Sequence, residues 1–164
     1  MFSIIIPTFN NIEYLKLCLK SISKNSKYKH EIIIHINEGT DGSLEYVKKK
    51  GYEYTYSIDN IGMPKALNKS AKLAKYNYIV ISHDDFYYCP NWDVVFKNEI
   101  EQYNHNNFYL SANTMFDLKD EYKISSKNYN ISSTVEFFDE KKLLRNLDKF
   151  KTIDWQGTTK CPGL

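Results

Sequence analysis

Three polar clusters stand where apolar runs stop, and their residue types could do chemistry. The first is His83-Asp84-Asp85, just after Tyr78–Ile81. Adjacent carboxylates beyond an apolar strand cannot both enter a core without a large desolvation cost. A divalent cation shared between a carboxylate and diphosphate oxygens would account for them, because Mg2+ and Mn2+ take hard oxygen ligands and often only one or two from protein. A cap, in which Asp side chains accept backbone N–H groups at a turn, accounts for them as well. The second cluster runs from Asn60 through Gly62, Pro64 and Lys65 to Asn68. Glycine there allows close backbone approach, the following helix start offers free N–H groups to a phosphate, and Lys65 adds a point charge. A plain turn with a helix cap has the same composition. The third is Asn37-Glu38-Gly39-Thr40-Asp41-Gly42-Ser43. Its amide and carboxylate could pair with a base edge, although for Asp41 and Ser43 capping of the next helix is the simpler role.

The elements that must position these clusters alternate in type. Phe2–Ile6, Glu31–Ile36, Tyr52–Ser57 and Tyr78–Ile81 read as strands, and Phe108–Ala112 as a fifth. Between them, Ile12, Leu15, Leu19 and Ile22 recur at helical spacing, with Asn10 or Asn11 placed to cap the helix. Leu44–Lys50 is a second helix. Pro64 opens a third with Leu67, Ala71 and Ala74 on one face. Trp92, Val95, Phe96 and Ile100 predict a helix after Pro90, and Asp139 is placed to cap a last one. Residues 113–135 are polar and suggest a hairpin or long loop. Strands alternating with helices predict an α/β fold with a mostly parallel sheet. In such sheets ligands bind beyond the carboxyl ends of strands, which is where the polar clusters fall.

Composition narrows the function classes. The chain has 164 residues, with 22 Lys+Arg against 20 Asp+Glu and a net charge of +2. That balance gives no basic face for nucleic acid. The apolar runs Ile4–Ile6, Ile32–Ile34 and Ile79–Ile81 are far too short to span a bilayer. Met1 leads directly into a strand-like segment, so no secretory leader is expected. Cys18, Cys89 and Cys161 are widely spaced and form no CxxC, which predicts neither zinc nor disulfides and fits a reduced, cytoplasmic setting. No G-x-G-x-x-G follows the first strand, and no P-loop, G-x-S-x-G or H-E-x-x-H occurs. His30, His35 and His105 read as satisfied or solvated residues rather than ligands.

Taken in order, the segments resemble family 2 glycosyltransferases of the GT-A fold. Ser3-Ile4-Ile5-Ile6-Pro7-Thr8-Phe9-Asn10 resembles the family's opening strand and turn. Glu31–Ser43 resembles its second strand and acidic loop, shortened by about one residue. Asn60-x-Gly62-x-x-x-Ala66-x-Asn68 matches the third block. Tyr78–Asp85 followed by Pro90-Asn91-Trp92 matches the strand, DxD-type motif and Pro-x-Trp downstream. His83 stands where the first acidic residue of that motif would be. The match is good from Met1 to about Ile100, and Asp154-Trp155-Gln156-Gly157-Thr158 resembles the start of an acceptor-side block.

The resemblance implies one GT-A-type domain over residues 1–164, with helices on both faces of the sheet. Its donor-binding half would lie at about residues 1–100 and its acceptor side would be short. It implies a hexosyltransferase-like enzyme that takes a nucleotide-diphospho-sugar, a UDP-sugar first, and transfers the sugar with inversion to a glycan, lipid or protein acceptor. Mn2+ or Mg2+ would assist, and neither a nucleic-acid partner nor a membrane span is implied. Pro7, Thr8, Phe9, Asn10, Asn37, Glu38, Asn60, Gly62, Lys65, Asn68, His83 and Asp84 would line the nucleotide-sugar site, and Asp85 would bind the metal. No residue is assigned as the general base; Asp117 and Asp154 are candidates. A non-catalytic nucleotide-sugar or sugar binding module is the alternative, and a turnover assay separates the two.

Overall fold

Ile4, Ile5 and Ile6 and, on a second segment, Ile33, Ile34 and Ile36 are all buried. Continuous burial of this kind belongs to central strands of a parallel sheet covered on both faces. The computed structural model describes residues 1–112 and 134–150. Its elements are β1 (Ser3–Phe9), α1 (Ile12–Asn25), β2 (Glu31–Asn37), α2 (Ser43–Lys50), β3 (Glu53–Ser57) and α3 (Met63–Ala71). They continue with β4 (Ile79–Ile81), α4 (Trp92–Ile100), a 3-10 turn at Val135–Phe137, α5 (Glu140–Arg145) and α6 (Leu147–Phe150). The strands form one parallel sheet in the order β3-β2-β1-β4, flanked by helices. Among the described residues no helix is long and apolar enough to cross a membrane.

The chain divides into two compact units, Met1–Val95 and Phe96–Leu164. The first holds the sheet. Its core joins the strand isoleucines to Leu15, Cys18, Leu19 and Ile22 of α1, Val47 of α2 and Ala66 of α3. At helical spacing, Leu15, Cys18, Leu19 and Ile22 share one face of α1, so the sequence period and the burial agree. In the second unit, the rings of Tyr103 and Phe108 stack with centroids 5.0 Å apart. There Asp139 caps α5, its carboxylate accepting the Lys142 N–H at 3.0 Å.

Three local expectations are corrected. Phe108–Ala112 is not a strand but irregular chain. Asn11 occupies the N-cap position of α1 yet makes no capping bond with its side chain. The Ile12 N–H instead donates to the Asp41 carboxylate at 2.7 Å, so the β2–α2 loop caps α1 from a distance. On α3 the helix stops at Ala71, which leaves Ala74 outside it, and the buried residues are Ala66 and Ser70. That face rests partly on polar strand residues, and a hydroxyl at Ser70 suits it better than an aliphatic group would. The polar stretch 113–133 and the Asp154–Thr158 block lie outside the described residues.

Candidate functional site

The strand order places a reversal between β1 and β4. The chain moves outward from β1 through β2 to β3, then returns to the other side of β1. Ligand crevices of open α/β sheets form at such switch points. Pro7 opens this one. The Ser3 N–H donates to the Tyr78 carbonyl and the Ile5 carbonyl accepts from the Ser82 N–H, so odd-numbered residues of β1 face β4. Pro7 is the next in that series and has no N–H to donate. Pairing of β1 with β4 ends at Ile5–Ile81, whereas pairing with β2 continues to Phe9–Asn37. The gap becomes a cleft of about 290 Å³, near the lower limit for small-molecule sites.

Four segments line this cleft. Pro7, Thr8 and Phe9 come from β1, Asn37 from β2, Asn60 and Gly62 from the loop before α3, and His83 and Asp84 from the end of β4. Asn11 and Met63 line it too. Neither was singled out from the sequence as a site residue: Asn11 looks like a helix cap, and Met63 has no polar signal. Asn10, Glu38, Lys65, Asn68 and Asp85 lie outside this lining. Asn10 and Glu38 instead hold the cleft's shoulder. Both adopt left-handed backbone, and the Asn10 amide donates to the Glu38 carboxylate at 3.3 Å while its carbonyl accepts the Thr40 N–H at 2.9 Å. Lys65 and Asn68 sit exposed on α3, and Asp85 is exposed after β4.

Asp84 is the acidic residue in the cleft lining. It accepts a hydrogen bond from the Thr8 hydroxyl at 2.6 Å, across 76 residues of sequence. Burial pushes its carboxyl above the ordinary range, and the Asp85 charge adds to this, against hydrogen bonds from Thr8 and Asn11. The His83 ring packs against Phe86 with centroids 4.8 Å apart. Asp41 is the opposite kind of carboxylate. Burial raises it, but the Ser43 hydroxyl and the Ser43 and Ile12 N–H groups outweigh that and hold it below the ordinary range. It holds the starts of two helices and lies outside the cleft lining.

Asn37 is a clasp. Buried at the end of β2, it donates to the Thr8 carbonyl at 3.3 Å and accepts from the Ser57 hydroxyl at 3.2 Å and the Ile61 N–H at 3.0 Å. One amide thus joins β1, β3 and the loop before α3. The loop is tightened further by the Asn60 side-chain oxygen Oδ1, which accepts the Gly62 N–H at 2.9 Å. Gly39 turns the chain just after Asn37 at φ +73°, where a Cβ would lie 2.8 Å from the Ile36 side chain, so no larger residue fits without a shift.

Residues 3–160 match the sequence model of the family described as Glycosyl transferase family 2. Comparison with curated protein sequences returns no match. Among solved structures, the chain is similar to S. aureus TarS 1–349 in complex with UDP, at 24% identity and a TM-score of 0.56, over 62% of this chain and 32% of that one. It is also similar to the mannosyltransferase PcManGT from Pyrobaculum calidifontis in complex with GDP-Man and Mn2+. There the identity is 20% and the TM-score 0.55, over 65% of this chain and 33% of that one. The chain therefore spans about a third of the length of these structures, and the likeness is one of fold.

Proposed function

The chain belongs to glycosyl transferase family 2 and has the GT-A fold, and from that premise we propose that its cleft binds the nucleotide diphosphate of a sugar donor, a UDP-sugar first, for inverting transfer to an acceptor hydroxyl. The supporting observation is the meeting of the β1, β2 and β4 ends at the switch point, with the Thr8–Asp84 pair inside the cleft. Phe9, about half exposed, offers a ring face to a base, and the Asn60–Gly62 backbone offers close approach from the other wall. Asp84, anchored by Thr8, turns its carboxylate to a ribose or sugar hydroxyl. Asn10, Glu38, Lys65 and Asn68 border the donor rather than lining the cleft.

The donor set suits a cation that takes most of its ligands from substrate. Asp85 is exposed with Asp84 beside it, and among the described residues no three His, Cys, Asp or Glu side chains converge as a metal cage. Mg2+ and Mn2+ accept such incomplete protein sites when phosphates complete the shell. Asp85 would hold the ion, which when bound neutralises charge on the leaving diphosphate. UDP in TarS, and GDP-Man with Mn2+ in the mannosyltransferase, support this chemistry without choosing between the nucleotides.

Calorimetric titration of UDP and of GDP, each with and without Mn2+, tests the site. Tighter UDP binding with Mn2+ is expected; binding of neither nucleotide under either condition refutes it. Turnover then tests the activity. The candidate bases Asp117 and Asp154 lie outside the described residues, and a positioned base contributes about 10²–10⁴-fold in rate. Donor hydrolysis, or sugar transfer to an acceptor hydroxyl, by the full chain supports an enzyme. Donor binding with neither would make the chain a binding module.

A further inference from the structure

His35 has no place in the cleft chemistry, yet it is fully buried in β2 between Ile34 and Ile36. Its neighbours explain how a polar ring is tolerated there. Nδ1 lies 2.6 Å from the Thr55 hydroxyl, Nε2 lies 3.1 Å from the Ser57 hydroxyl, and Thr55 lies 2.9 Å from the buried Ser70 hydroxyl. The direction of the protons follows from the far end. The Asn37 amide nitrogen donates to the Thr8 carbonyl, so its oxygen must accept from Ser57. The Ser57 hydroxyl has spent its one proton, so it accepts from His35 Nε2–H. The neutral ring's Nδ1 then accepts from Thr55, which accepts from Ser70. One relay runs from Ser70 on α3 through Thr55, His35 and Ser57 to Asn37, whose oxygen also receives the Ile61 N–H.

We propose that His35 is a positioning residue of the cleft: through Ser57 it fixes the Asn37 amide, and through that amide it holds the Ile61 segment against the end of β1. The nucleotide part of this inference rests on the function proposed above; the relay does not. A ring that merely filled space in the core would affect overall stability alone. A ring that aims Ser57 affects one loop selectively.

The experiment combines amide hydrogen exchange with UDP and GDP titration of the full chain. The variants are His35→Val, Ser57→Ala, the double variant and Ser57→Thr, which keeps the hydroxyl. In His35→Val and Ser57→Ala, exchange of the Ile61 N–H should speed up about fivefold or more while amides of α1 stay protected, as for loss of one hydrogen bond. UDP affinity should fall by a similar factor in both single variants and no further in the double, because both break one chain. Ser57→Thr should restore both readouts. Unchanged Ile61 exchange, uniform loss of protection across the sheet, or additive losses in the double variant would overturn the proposal. If His35→Val does not fold, the Ser57→Ala and Ser57→Thr pair decides. If the native chain binds neither UDP nor GDP, the proposed function fails, and Ile61 exchange still decides the relay.

Discussion

Asp84 and Asp93 are both withdrawn from solvent, nine residues apart, and do opposite things. Asp93 lies at the amino-end side of the sheet, at the start of α4, with 0% exposure. The N–H groups of Lys27 and Tyr28 donate to it at 3.1 and 2.8 Å, its own helix adds the Val94 N–H at 3.0 Å, and His30 Nε2 lies 3.0 Å away. Burial raises its pKa, but those donors prevail and hold the carboxyl below the ordinary range. His30 is tied as firmly: its Nδ1 accepts the Phe2 N–H at 3.2 Å, so the proton sits on Nε2 and the ring is neutral. Phe2 and Trp92 pack around it with centroids at 5.2 and 5.1 Å. Asp84, at the other end of the sheet, has fewer fixed donors and a raised pKa. A carboxylate surrounded by backbone donors belongs to the fold. One left short of donors beside a cleft has acceptor capacity for a ligand.

The largest contrast should come from deletion. Asp93→Ala strips the Asp93 partner from the Lys27 and Tyr28 N–H groups and from a buried imidazole, whereas the Val94 N–H keeps the Asn91 carbonyl, and it is expected to cost about 3–5 kcal/mol of stability. Urea denaturation checks this; a loss under about 1 kcal/mol would mean that the cluster is peripheral. Asp85→Ala, at the ligand end, should instead leave the urea midpoint unchanged and weaken UDP binding in Mn2+ by about 100-fold, with the metal-free affinity untouched. Unchanged Mn2+-linked UDP affinity in that variant would remove Asp85 from the metal site.

Acid should separate the two ends more gently. Burial lowers the His30 pKa below 6.5 in spite of Asp93. The unfolded chain therefore takes up a proton that the folded chain refuses, and stability falls as pH drops from about 6.5 toward the folded value. Asp93 adds a further loss as pH falls below its ordinary value of 3.8. Asp84 acts in the opposite sense, since its raised pKa lets the folded state gain a proton first. Burial lowers the His35 pKa as well, so denaturation across pH 7 to 5 should show the summed loss from both rings, and His30→Gln should reduce its slope by the His30 share. The smallest effect is expected from Asp84→Asn. It keeps an acceptor for Thr8 and removes a partly buried charge, so thermal stability should rise by about 0.5–1 kcal/mol while nucleotide binding weakens. A fall in stability would place Asp84 with Asp93 as a structural carboxylate.

Much of the architecture was legible in the chain itself. Apolar runs of strand length alternate with helical periods from Ile12 and from Trp92, and the elements form close to where those periods predict. Of the polar clusters, Pro7–Phe9, Asn37, Asn60, Gly62, His83 and Asp84 meet around one cleft at the strand ends, and Asp41 and Asp139 do cap helices. These features depend on local spacing, on turn chemistry and on one-dimensional burial. The strand order was not legible, because no local period says that β4 returns beside β1. Nor was the division of labour among the carboxylates: Asp93 looks like an ordinary first-turn acid, and Asp84 like half of a pair with Asp85. What separates them is which donors reach them, and apart from the adjacent Val94 N–H those donors come from residues 63 to 76 positions away. The same holds for Asn11, Met63 and the His35 relay. Residue type and spacing state what a side chain can donate or accept; only the folded sheet decides which of those capacities are already filled and which are left for a ligand.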